Sequence, residues 1–532
     1  ATLNIIAVAD GNIMLDGDAG ATLTINAGTL TNNGSLQSLD TDGGAASPHT
    51  IVGSVTNAGF INIEHSLTFS SGNTLDARNG QVTVETGQDL TIDNGTLVVG
   101  GSSNIWGDGT VSFDGTSTLT VDGTFTFMSG MPDLDFSLGT ATQIANFATT
   151  DTFVVDHGAM LTVDDNVVVH TDFENRGDTQ FLGTNTINGL FTNMDGTVTV
   201  DGSSPGSLTV NNTFTNSGTF AIDKSSPMTD VTTVTVTGGI VNNGEIRVQD
   251  SGGGIGAGAH VLNAQITSPG AGKLVLVDTN LELSTVAAFD NPATHSIDIG
   301  SNELRITGAA SFTNSGQITG DGVVDTTVAL MNAGVLEPDS TSDTAATLTI
   351  NGGLSNSGTI DIDVYGNTGT NNDKVIVNGG DLLGAGNVHF VFRAGHGFDG
   401  DGTLDHIDDF IDLTGTGTFG ATYAVSHNLG SAFTVMLTQD GSAYDADVSA
   451  TFQNTFNNGG GDLAWENLIN WDNDGTTDPG DNVLIETYAV THSATTTQTL
   501  NSVTIQSGSL SILGGTIFLT GDSRAFAGPM LQ

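Results

Sequence analysis

Residues 207–223 read SLTVNNTFTNSGTFAID, and their pattern decides the fold. Two apolar residues alternate with polar ones (Leu208, Val210), a short Asn/Asn turn follows, then Phe214 and the triplet Asn216-Ser217-Gly218, then a second alternating run (Phe220, Ile222). The same frame returns at 233–250, TVTVTGGIVNNGEIRVQD, and at 347–363, TLTINGGLSNSGTIDID. A looser copy opens the chain at 22–36, TLTINAGTLTNNGSL, and others centre on Asn57–Gly59, Asn175–Gly177, Asn314–Gly316 and Asn332–Gly334. The turn Asn recurs at 193, 216 and 242 and again at 314, 332 and 356, in steps of 23, 26, 18 and 24 residues. A period of this size is that of a solenoid coil.

Alternation points every second side chain to one face of a strand, as in Leu348-Thr349-Ile350. Thr and Val suit a pleated surface. Asn and Gly at the corners are read as residues that tolerate positive φ. One coil cannot bury its apolar edge, whereas stacked coils share a continuous core. No stretch carries a sustained helical period. The expectation is an all-β, elongated parallel β-solenoid (β-helix) with a divergent β-rich region and a short Trp-containing insertion near the C-terminus. About 20 coils at ~4.8 Å each give a rod on the order of 100 Å. The domains expected are a solenoid over 1–340, its continuation with longer loops over 341–450, a Trp/Asp-rich opening of a new module over 451–490, and returning coils over 491–532.

Composition narrows the function. The chain has 532 residues, 73 Gly, 9 Pro, no Cys, and 59 acidic against 9 basic residues, a net charge of −50. At 37% hydrophobic it is too apolar for a disordered acidic chain. So few cations argue against nucleic acid, whose phosphates need Lys and Arg, and against anionic membrane surfaces. No apolar run is long enough to span a membrane. Without cysteine there are no disulfides or thiolate metal sites. The start at Ala1, without Met or a basic leader, is read as a mature secreted chain or an interior slice of a longer one. The expected location is extracellular or on the cell surface.

Two regions resemble exported-protein families. Residues 335–437 resemble the repeat units of bacterial autotransporter passenger domains and related surface proteins. The resemblance rests on Gly334-Val335-Leu336-Glu337-Pro338, the strand–turn–strand copy at 347–363, Asp373-Lys374-Val375-Ile376-Val377-Asn378-Gly379, and Leu383-Gly384. It departs at Asp339, where that family usually has Gly. Residues 462–485 resemble the opening of another exported module, with Asp462-Leu463-Ala464-Trp465, Asn470-Trp471-Asp472 and Pro479-Gly480-Asp481-Asn482-Val483-Leu484-Ile485. The resemblance implies export, a β-solenoid, and a surface or adhesive role, with no reaction.

The candidate metal ligands are carboxylates. Asp472, Asp474, Asp478 and Asp481 crowd a Gly-containing turn, as oxygen ligands of Ca2+ do, although Val483 stands where an EF-hand needs Glu. A second acidic stretch, read as a loop, holds Asp399, Asp401, Asp405, Asp408, Asp409 and Asp412. The plainer reading of both is a solvated acidic turn. Thr-x-Thr copies are too scattered to read as an ice-binding array. No His-Glu-x-x-His, Gly-x-Ser-x-Gly or phosphate loop is present, and Arg247, Arg305 and Arg393 lie far apart in sequence. The chain is therefore read as a non-enzyme. The last coil, Ile505 to Ile512, matches the first, Ile13 to Ile25, and neither end shows a polar cap. The leading expectation is a structural subunit that self-associates head to tail into a homopolymer. The alternatives are an adhesin that binds surface glycans through exposed aromatics, with Trp106 a candidate, and a polysaccharide-degrading β-helix enzyme, which needs a basic residue beside paired carboxylates.

Overall fold

The computed structural model describes residues 2–525 except 4–7, 18–19, 42–46, 71, 101, 129–130, 136–142, 147–150, 202–205, 225–230, 253–257, 340–343, 367–370, 394–404, 430–432, 451–453, 460, 467–469, 472–480, 486, 496, 506–507 and 521–523. Among the described residues there is no α-helix, and the chain is a parallel β-solenoid. It divides into two compact units: residues 1–289 with 294–296 and 304–309, and residues 290–293 and 297–303 with 310–532.

In the first unit one turn of the repeat frame makes three short strands. Thr184–Ile187, Phe191–Asn193 and Thr197–Asp201 form one coil, and Ser207–Val210, Phe214–Asn216 and Thr219–Asp223 lie on it in parallel. The register is that of the sequence repeat: Leu208 pairs Asn185, Phe214 pairs Phe191, Phe220 pairs Val198. Insertions between copies therefore fall at corners and leave the ladders intact. Phe153, Phe173, Phe191 and Phe214 stack as one fully buried column, with neighbouring ring centroids 5.7, 5.6 and 4.4 Å apart. Offset and edge-to-face contacts of this kind add to the area they bury.

The recurrent Asn has a different job from the one its turn position suggests. Asn193, Asn216 and Asn242 end strands and are fully buried, and none has positive φ. Along this column one carboxamide Nδ2 donates to Oδ1 of the Asn one coil later, 175 to 193 at 2.9 Å, 193 to 216 at 2.8 Å and 216 to 242 at 2.8 Å, and Asn242 ends the run on the Lys273 carbonyl at 3.2 Å. A second N–H of the same amide goes to a backbone carbonyl, as Asn193 does to Thr219 at 3.0 Å. A carboxamide carries donor and acceptor on opposite edges, so identical residues in register satisfy one another. The left-handed conformation is found instead at Asn94, Asn166 and Asn458. The Gly of Asn-x-Gly is also not a positive-φ residue. A Cβ on Gly196, Gly218 or Gly244 would stand 2.0–2.2 Å from the carbonyl oxygen of the preceding Gly in the column, so the coils approach too closely there for any side chain.

In the second unit the same ladder runs from Asn291 to Asn314 (2.6 Å), Asn332 (2.7 Å) and Asn356 (2.6 Å). It stops where Gly384 takes the next register position. Of the stretch expected to be an acidic loop, the described part is a strand from Asp405 to Thr414, pairing in parallel with Lys374–Asn378. The hairpin of Phe433–Asp440 and Ala443–Ala450 then lies antiparallel along its other edge. The parallel order of that sheet ends on this hairpin, which the sequence signalled only as lost periodicity. Beyond it, Asn482–Ile485, Ala489–His492 and Thr497–Leu500 make one coil, and Ser502–Ile505, Ser509–Ile512 and Thr516–Leu519 the next. Trp465 and Trp471 are the core of this region, edge to face at 4.7 Å against Phe456, Val483 and Val503.

Candidate functional sites

Five of the six carboxylates singled out for Ca2+, Asp399, Asp401, Asp472, Asp474 and Asp478, lie outside the described residues. Asp481 is described, and its backbone carbonyl accepts the amides of Asn501 (2.9 Å) and Ser502 (3.3 Å), tying the two C-terminal coils together.

Other acids of the second stretch do converge. The strand Asp405–Thr414 is irregular between Ile407 and Ile411, and Asp409 has φ +48°. This bulge points the Asp409 amide at Asp445 Oδ1 of the hairpin, 2.8 Å away, and sets Asp408 beside His406. His406 Nδ1 meets Asp447 Oδ1 at 2.8 Å, its cross-strand partner, and Nε2 meets Asp408 Oδ1 at 2.8 Å, with Asp445 Oδ2 at 4.0 Å. The Asp447 hydrogen bond, with the other carboxylates, holds the imidazole above its ordinary pKa. One ligand atom each from His406, Asp408 and Asp445 lies within 4.8 Å of the others. A divalent ion there would replace the proton on Nε2, with Asp447 orienting the ring through Nδ1. Such a mixed N/O set suits Zn2+ better than Ca2+. Sequence reading missed it because His406 and the Asp445/Asp447 pair meet only through the hairpin.

A second cluster surrounds Arg393 in the same unit. Its Nε donates to Asp363 Oδ2 at 2.7 Å, and its Nη2 contacts the same oxygen. Tyr365 Oη donates to that oxygen as well, at 3.1 Å. Burial raises the carboxyls of Glu337 and Asp361. Asp373 is fully buried, and burial pushes it up to about 7 even though the amides of Ala346 (2.9 Å) and Asp363 (3.2 Å) donate to it. The Asp of the Asp-x-x-x-Val-x-Gly element thus ties the residue before strand Thr347–Asn351 to the end of strand Thr359–Val364. Here a cation does stand beside paired carboxylates, although Arg393 is far from Asp363 in sequence.

A third surface differs in chemistry. The sheet of Asn12–Asp16, Ser35–Leu39, Phe60–Ile63, Gln81–Val84 and Asn104–Trp106 carries two outward columns: Asn12, Ser35, Phe60, Gln81, Asn104, and Met14, Gln37, Asn62, Thr83, Trp106. Neither column holds a charge, on a chain of net −50. Phe60 is 57% and Trp106 40% exposed. No protein-family model and no curated protein matches the chain. The autotransporter-like motifs therefore stand on their residues alone.

Proposed function

We propose that this chain is a structural element of a bacterial cell surface or extracellular filament, secreted and self-associating through its solenoid coils. The observation that supports this is the interior Asn ladder with its aromatic column. Both are devices that hold coil on coil, and neither serves a cleft. Amide ladders are strongest when every rung is filled, so the residues that repeat most faithfully are those that stiffen the stack. The acidic exterior would keep neighbouring stacks apart or link them through divalent cations such as Ca2+. Negative-stain electron microscopy of the purified chain, with calcium and then with chelator, tests it. Long regular fibres support the assembly, and their loss on chelation assigns the cation to the contacts. Short isolated particles in both conditions defeat it.

The second reading is an adhesin, favoured by the uncharged face around Phe60 and Trp106. Aromatic planes with Asn, Gln and Thr amides and hydroxyls are the groups that stack on and hydrogen-bond to neutral sugars. Glycan-array binding that Trp106→Ala abolishes would establish this reading. Release of oligosaccharide from polysaccharide, lost in Arg393→Ala, would instead assign an enzyme to the Arg393 cluster.

A further inference from the structure

The strands Thr219–Asp223 and Glu245–Val248 pair in parallel, Thr219 with Glu245 through Ile222 with Val248. The stacking continues past both strand ends. Gln249 N donates to Ile222 O at 3.0 Å and Gly252 N to Lys224 O at 2.9 Å, so Lys224 lies over Asp250 in the next coil. Both side chains are withdrawn from water, 5% and 8% exposed. Yet they are not hydrogen-bonded to each other: Lys224 Nζ stands 3.9 Å from Asp250 Oδ2. Asp250 Oδ1 is buried with no partner among the described residues.

The surrounding polar groups are committed elsewhere. Asp223 accepts the amides of Lys224 (2.6 Å) and Ser251 (3.0 Å), Gln249 Nε2 (2.8 Å) and Ser251 Oγ (2.9 Å). His260, 2% exposed, accepts the Thr232 amide on Nδ1 at 3.2 Å. Its environment includes the charges of Asp250, Asp223 and Lys224. Two buried ions held 3.9 Å apart, with one carboxylate oxygen unpartnered among the described residues, recover only part of the cost of their desolvation. A neutral link between the same two side chains removes both charges.

We propose that Lys224 and Asp250 condense into an isopeptide bond that joins adjacent coils covalently. Lys224 Nζ, having given up a proton, attacks Cγ of Asp250. The N–Cγ bond forms and one Cγ–O bond breaks. The departing oxygen leaves as water with two of the three ammonium protons, and the third stays on the amide nitrogen. Ammonium and carboxylate become amide and water, so no oxidant or co-reactant enters. The water-poor surroundings favour the condensed side. The bond would give a cysteine-free chain a covalent staple across its coils. It stands on this geometry whether the chain is a fibre subunit or an adhesin.

The test is intact-mass measurement of the purified full chain, followed by peptide mapping. The expected result is a mass one water below that of the sequence and a branched peptide joining Lys224 to Asp250. In Lys224→Met and Asp250→Ala the deficit disappears. Recovery of Lys224 and Asp250 in separate linear peptides from the wild-type chain overturns the proposal. A water deficit mapped to an Asp-Gly step elsewhere overturns it equally. Because the decisive measurement is made on the wild-type protein, it stands even where a variant fails to fold.

Discussion

Replacing Asn216 by Ala should cost the first unit about 2–4 kcal/mol. Asn216 Nδ2 donates to Asn242 Oδ1 at 2.8 Å and to Glu245 O at 3.1 Å, and its Oδ1 accepts from Asn193 Nδ2 at 2.8 Å. In the variant Asn193 Nδ2 keeps the Thr219 carbonyl at 3.0 Å, so its loss is small. Asn242 Oδ1 loses the amide that serves it while remaining fully buried, and an orphaned buried acceptor costs about 1–3 kcal/mol. The space left by the carboxamide adds roughly 1 kcal/mol more. The control is Asn211→Ala. Its bond to Asn188 Oδ1, 2.7 Å, is exposed, and its loss should cost no more than about 0.5 kcal/mol. A single unfolding midpoint is a poor readout for stacked coils. Native-state hydrogen exchange of the full chain is the better assay. Amides of 197–223 and 233–248 should lose protection by roughly 30- to 900-fold, at 1.36 kcal/mol per tenfold. An Asn216→Ala variant that exchanges like Asn211→Ala would refute the claim that the ladder stabilises the stack.

Gly218→Ala should cost about 1–3 kcal/mol, read as lost amide protection over the two coils that meet there, because its Cβ would stand 2.2 Å from Gly196 O. The two units should respond oppositely to acid. Burial lowers the pKa of His49, His260 and His295 in the first unit, so that unit loses stability as pH falls below the unfolded value of about 6.5. In the second, Asp373, raised to about 7, gives stability that is complete below the unfolded carboxyl range and fades as pH rises through 7. His406, also raised, adds stability that fades above the ordinary histidine range. Protection factors, each referred to the intrinsic exchange rate at its own pH, should rise between pH 7.5 and 5.5 around 346–377 and fall around 49–52 and 260–276. Parallel changes in the two segments would contradict the burial assignments.

The sequence by itself determined the strand alternation, the coil period, the parallel stacking and the apolar core. Those follow from the spacing of apolar residues and from the need of each coil for a neighbour. It also marked the positions that matter most, Asn193, Asn216, Asn242 and the glycines after them, but for a different reason. Turn chemistry and an interior amide ladder leave the same Asn-x-Gly trace, and only the burial of the carboxamides and the register of one coil on the next tell them apart. The antiparallel hairpin of 433–450 showed in the sequence only as a loss of the Asn-x-Gly frame, since alternation does not distinguish antiparallel from parallel pairing. The clusters at His406, Arg393 and Lys224 were out of reach for one shared reason. The pairs that define them, Lys224 with Asp250, Arg393 with Asp363 and His406 with Asp447, stand 26, 30 and 41 residues apart, and which residue of one coil lies over which residue of another is decided by corner lengths that no local pattern encodes. Tertiary stacking alone brings a buried ammonium over a buried carboxylate.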